Sequence, residues 1–143
     1  MPSVRFFTED ISFKLPAPQH TRNWIKRAIK SEGFHPGDIN YIFCSDSYLH
    51  QINLQYLNHD TYTDIVTFDS SEETGVISGD IFVSVERIRE NAKSLKVKTD
   101  DELHRVIIHG VLHLAGYRDK KKNERALMRE REDAYLALRK RST

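Results

Sequence analysis

A single cysteine, Cys44, in 143 residues leaves no internal disulfide to draw on and makes a reducing compartment the simplest setting. It lies in the apolar run INYIFC (39–44), where packing is its expected job. Long apolar runs are missing. Nothing approaches the roughly 20 residues of a membrane-spanning helix, and MPSVRFFTED has no basic stretch followed by an apolar core of signal-peptide length. The expectation is a cytoplasmic protein with no membrane partner. An excess of either charge is lacking too: 22 Lys and Arg face 21 Asp and Glu, a net +1, which argues neither for nor against a nucleic-acid partner. There is no internal repeat, low-complexity tract or domain boundary.

Present instead is an ordinary soluble balance, 38% apolar and 30% charged, in a chain long enough to bury roughly two-thirds of its unfolded surface. Residues 1–143 are therefore expected to form one domain. Charge is uneven along it. From Lys120 onward nine Lys and Arg meet four Asp and Glu, a local +5, which leaves the first 119 residues at −4. A solvated helix face explains such a run, and so does a polyanion contact.

Strands are expected at SVRFF (3–7), INYIFC (39–44), TDIVTF (63–68) and DIFVSV (80–85). KLPAPQH reads as an extended connection and HPG (35–37) as a turn. Trp24, Ile25, Ala28 and Ile29 recur at helical spacing, stopped by Gly33. Asp46 is a candidate N-cap for a helix with Leu49, Ile52 and Tyr56 on one face, ending near NHD, and DSSEETGVISG reads as polar loop. Val85, Ile88, Ala92 and Leu95 predict a helix capped by Ser84, and Thr99 with Glu102 forms a capping-box pattern opening the next. In that next helix Leu103, Val106, Ile107, Ile108, Val111, Leu112, Leu114 and Ala115 face nearly every direction, so it should be buried in the middle of the domain. A last helix spans about 123–139, with Leu127, Met128, Tyr135 and Leu138 on one side. The fold class is α+β, with about four strands in one mixed sheet and about five helices.

The central helix carries HGVLHLAGYRD (109–119). At about 100° per residue His109 and His113 stack one turn apart on a single face, the placement two imidazoles need to reach one ion. The spacing alone is a weak motif, but imidazoles are costly to bury without partners. Gly116 can take the left-handed conformation that ends a helix and turns the chain, and Asp119 lies just beyond. Two nitrogens and a carboxylate suit Zn²⁺ and leave a fourth position for water. A buried His pair hydrogen-bonded to Asp119 or to backbone fits the same residues. Position 110 is Gly, so the HExxH peptidase signature is absent, and a helix or strand should pack closely against it.

These residues resemble a known family. HGVLHLAGY (109–117) is similar to the signature of the YbeY metallo-endoribonucleases. INLQYLNHDTYTDIVTF (52–68) resembles the family's internal block, with Asn53 as its Asn. GDIFVSVERI (79–88) and DELHRVIIHG (101–110) continue the likeness, which spans about 39–135. It implies a Zn²⁺-dependent endoribonuclease acting on single-stranded RNA, with small-subunit ribosomal RNA as the expected substrate and the ribosome or its assembly proteins as partners. It also allows a ribosome-associated RNA-binding factor whose ion is structural or vestigial.

Two departures stand out. The family's ending after Gly-Tyr is Asp-His, with that histidine as third ligand; here Arg118 and Asp119 follow, so Asp119 takes the ligand position. A carboxylate adds negative charge there and admits harder metals. Leu57 stands where the family commonly has an arginine suited to phosphate, leaving His59, Arg118, Lys120, Lys121 and Lys122 as candidates to contact substrate. Tyr62 and Tyr117 could stack on unpaired bases or simply pack. Asp64 fits a general base, a partner for a ligand histidine, or a turn residue opening a strand. Glu102 shares the histidines' face but is explained by its place in the capping box, and His20, His35, His50 and His104 fall outside the pattern.

Overall fold

Alternate residues of two strands build the centre of the molecule. Ile39, Tyr41 and Phe43 on β2 (His35–Cys44), with Ile81 and Val83 on β4 (Val76–Ser84), face one side of the sheet and are essentially solvent-free. Phe82, between the last two, faces the other side. A computed structural model describes residues 2–141. Around these strands lie β1 (Val4–Glu9), α1 (Pro18–Ser31), α2 (Asp46–Leu57), β3 (Ile65–Asp69), α3 (Val85–Leu95), α4 (Thr99–Leu114) and α5 (Lys122–Arg141). The sheet order is β1-β2-β4-β3, with β1, β2 and β4 parallel and β3 antiparallel to β4. The four-stranded mixed sheet and five helices in one domain match the expectation. Among the described residues no helix is long and apolar enough to cross a membrane.

On the main face α4 lies against β3 and β4 and is flanked by α1, α3 and α5, while α2 covers part of the opposite face. Ile107, Ile108, Val111 and Leu112 on α4 have no exposed surface, which bears out the central placement. Cys44 is fully buried, and burial pushes its thiol up to about 12, so it packs and does not react.

Several boundaries differ from expectation. β2 runs through His35-Pro36-Gly37 instead of turning there, because this end pairs only with β4 and its register shifts between Pro36 and Ile39, an irregularity that tolerates a missing N–H. β4 begins at Val76, inside what reads as polar loop. α1 starts at Pro18, whose fixed φ suits the first turn. Ser45, not Asp46, caps α2, accepting from the Tyr48 N–H at 3.0 Å. The capping box at Thr99 does not form: Lys98 is the N-cap and no side chain serves it. Ser84 does cap α3, accepting from the Arg87 N–H.

β3 is an edge strand held on one side only, and Gly79 lets it approach. A Cβ at Gly79 would lie 2.4 Å from the Phe68 carbonyl oxygen, which is backbone and cannot swing away. Gly79→Ala is therefore expected to cost about 1–3 kcal/mol, read as a lower urea midpoint at unchanged slope. A midpoint equal to the parent's would show that β3 yields freely.

Candidate metal centre and its cleft

The helix that carries the two histidines ends in a defined way. Gly116 has φ 105°, its N–H donates to the His113 carbonyl, and the Tyr117 N–H reaches back to the Leu112 carbonyl at 3.0 Å. This is a Schellman closure, in which a left-handed residue lets two orphan carbonyls find donors while the chain reverses. The reversal returns Asp119 to the exposed side of His113. At Gly110, a Cβ would meet Ile65 Cδ1 and Ile81 Cγ2 at 3.0 Å, so the sheet packs on the helix backbone between the two histidines, as the absence of a side chain implied.

The three side chains converge. Asp119 Oδ2 lies 3.3 Å from His109 Nε2 and 3.1 Å from His113 Nε2, and the imidazoles stand edge to face with centroids 4.4 Å apart. Among the described residues no other group of three or more His, Cys, Asp or Glu offers ligand atoms within 4.8 Å of one another. The rings are held from behind. His113 Nδ1 donates to the Tyr117 carbonyl at 3.1 Å and His109 Nδ1 to Glu132 Oε2 at 2.6 Å. Both of those partners are acceptors, so the Nδ1 atoms carry the protons, and a neutral imidazole then turns its Nε2 lone pair toward the carboxylate. Two lone pairs and an anionic oxygen facing one point repel one another unless a cation lies between them or a ring takes a second proton. Outer partners on Nδ1 and free Nε2 atoms are how ligating histidines are ordinarily held, so the residues fit a divalent ion.

Glu132 was not anticipated. It is only 5% exposed, and its second oxygen accepts from Arg105 Nη1 at 2.9 Å, while Arg105 also reaches Asp133 at 2.7 Å. The signal was present: Met128, Glu132 and Tyr135 share one helical stripe, and all three are buried. A carboxylate in the middle of an apolar stripe needs a partner. Burial pushes the His109 imidazole down, but its bond to Glu132 and the charges of Glu132, Asp119 and Asp64 outweigh this and raise it above its ordinary value.

In front of the centre lies a cleft of about 500 Å³ between β3, the end of α2 and Lys120. Asp64 lines it, with its carboxyl raised by burial and partly offset by His109. Asn53, 3% exposed, donates to the Thr61 carbonyl at 3.0 Å and to its hydroxyl, fixing the loop that carries Thr61, Thr63 and Asp64. Leu57 and His59 also line the cleft. Of the four basic residues suggested by sequence, Lys120 lines it, whereas Arg118, Lys121 and Lys122 are exposed outside its walls. Tyr62 stacks on His50 at 4.2 Å, and the Tyr117 hydroxyl donates to Glu32, so each ring has a packing role. Glu102 borders a separate groove beside Leu95 and Arg105, and His104 is a core residue whose Nδ1 donates to the Asp100 carbonyl.

A family profile described as endoribonuclease YbeY matches residues 6–139. A protein of Christiangramia forsetii named endoribonuclease YbeY is 50% identical over 94% of this chain and 93% of its own length. One of the same name from Cytophaga hutchinsonii is 49% identical over 96% of each. The solution structure of a Thermotoga maritima protein superimposes with a TM-score of 0.63 at 30% identity, covering 93% of this chain and 86% of that one. With the profile covering almost the whole chain and near-full-length relatives at half identity, the chain belongs to the endoribonuclease YbeY family.

Proposed function

We propose that this chain is a metal-dependent endoribonuclease that cuts single-stranded RNA in the maturation and quality control of ribosomal RNA, with small-subunit RNA as its target, the ribosome or its assembly proteins as partners and the cytoplasm as its place of work. The observation that supports it most is the convergence of His109 Nε2, His113 Nε2 and Asp119 Oδ2 at the wall of an open cleft, in a chain whose relatives are named endoribonucleases. Two nitrogens and one carboxylate favour Zn²⁺. When bound, the cation supplies Lewis-acid polarisation of a phosphoryl oxygen and a more acidic water.

The chain's own residues do the rest. Glu132 and the Tyr117 carbonyl aim the imidazoles. Asp64, raised by burial, is the carboxyl in the cleft best suited to take up or release a proton. Lys120 brings positive charge to the mouth, and an open cleft without paired basic walls favours a flexible strand over a rigid duplex.

The test is cleavage of an end-labelled RNA offered single-stranded and as a duplex. Cutting of the single strand is expected to stop with chelator and to return when zinc is restored, with the duplex spared. Binding without cutting by the zinc-loaded protein would support the RNA-binding factor instead, and cutting indifferent to chelator would remove the metal from the account.

A further inference from the structure

The metal centre sits where two concavities meet. His109 and Asp119 line both the cleft beside β3 and a smaller one of about 250 Å³ on the α5 side. The two differ in charge. The larger is walled by Asn53, Thr61, Thr63 and Leu57, holds the carboxyl of Asp64, and has Lys120 as its one permanent cation among the described residues. The smaller is bordered by Arg125 and Arg129, one helical turn apart, over the buried side chain of Met128. Its carboxylates are already engaged: Glu132 serves His109 and Arg105, and Asp119 faces the imidazoles.

The arginines are not so engaged. Arg125 donates to the Lys120 carbonyl, which keeps its guanidinium beside the segment leading out of the metal centre. Arg129 is exposed and makes no hydrogen bond or ion pair among the described residues; it also borders the groove beside Leu95, where its charge acts on the Glu102 carboxyl. Two like charges four residues apart on a helix repel, and an anion placed between them relieves that repulsion. A guanidinium offers a planar fork matched to phosphate oxygens and stays charged at every working pH.

We propose that Arg125 and Arg129 form a phosphate subsite for RNA, gripping a phosphodiester next to the one presented to the metal centre, so that the strand runs from the cationic concavity on α5 across His109 and Asp119 into the neutral cleft beside β3. This rests on the RNA-cleaving reading above. The backbone is held on the α5 side, and riboses and bases fill the side walled by Thr61, Thr63 and Thr67, where hydroxyl groups can bond to them without competing for phosphate.

The test uses a fluorescein-labelled single-stranded 12-mer RNA, with binding read by anisotropy in chelator across a salt series and cutting read after zinc is restored. Arg125→Ala/Arg129→Ala is expected to raise Kd about tenfold and to flatten the slope of log Kd against log salt by about 0.7, the value for one single-strand phosphate contact. Zinc content should stay at the parental value, and Tm should fall by no more than in Arg125→Ala alone, which loses the bond to the Lys120 carbonyl. Arg129→Gln alone, at a side chain with no bonds to lose, should give about half the change in slope. Arg89→Ala/Lys93→Ala, which removes the same charge from α3, should leave Kd within about twofold of the parent's. Parental Kd and slope in the α5 variants of a protein that binds and cuts would overturn the subsite alone, as would equal losses in the α3 control or loss of zinc from the variants. A parent that neither binds nor cuts the strand would instead bring down the functional reading, and the subsite with it.

Discussion

His113→Ala is expected to lower single-strand cleavage by on the order of a thousandfold, because the metal contributes several kcal/mol to the transition state and each 1.36 kcal/mol is a factor of ten. Among the described residues only three ligand atoms converge, and two of the three separations run to the same Asp119 oxygen. Without His113, the ion would keep one nitrogen and one oxygen and lose the imidazole that the Tyr117 carbonyl holds in place. The variant should still fold, since its side chain is a quarter exposed and its hydrogen bonds belong to the site alone. A stability assay separates binding from folding. An ion that binds only the native state raises Tm with its concentration, so zinc should raise the parent's Tm and leave the variant's unmoved. A variant that retains one zinc per chain and cuts within tenfold of the parent would show that His113 is not a ligand.

The halves of this centre were unequally legible in the sequence. Local signals were enough for α4: an apolar pattern on all sides, two histidines one turn apart, and a glycine placed to reverse the chain. They predicted the buried helix, the return of Asp119 and a close approach at Gly110, although the residues that make that approach, Ile65 and Ile81, come from the sheet and were not named by the local pattern. Glu132 was different. Its importance comes from α5 crossing α4, which brings it to Arg105 and His109, 27 and 23 residues earlier. Read along its own helix it looks like one more charge on a basic, solvated segment, and only its position between Met128 and Tyr135 sets it apart. The strands failed for a related reason. Pro36 and Gly37 have the composition of a turn, but their neighbours are supplied by β4, and tertiary pairing overrides local preference. The capping box at Thr99 matched in composition without forming, since a pattern of residue types does not fix where the first turn begins.

Glu132→Ala is expected to weaken metal binding by about 10- to 100-fold, the usual cost of removing the outer partner of a ligating histidine. The carboxylate does two things at once: Oε2 accepts from His109 Nδ1 at 2.6 Å and Oε1 accepts from Arg105 Nη1 at 2.9 Å. This double duty makes Glu132→Gln the sharper experiment. A glutamine has one acceptor oxygen, so facing the oxygen to His109 turns an N–H₂ toward the guanidinium, and the opposite rotamer places donor against donor at the imidazole. Glutamine should therefore behave more like alanine than its shape suggests. Arg105 keeps Asp133 at 2.7 Å in either variant, so the guanidinium is not left alone and loss of fold need not follow. Competition against a chromophoric chelator measures the affinity directly, with no RNA in the assay, and Tm without metal reports the structural cost. If both variants hold zinc as tightly as the parent while losing stability, Glu132 serves the packing of α5 and not the aim of His109; if glutamine alone binds normally, one acceptor suffices to aim the imidazole and the charge of the carboxylate is not needed for metal affinity.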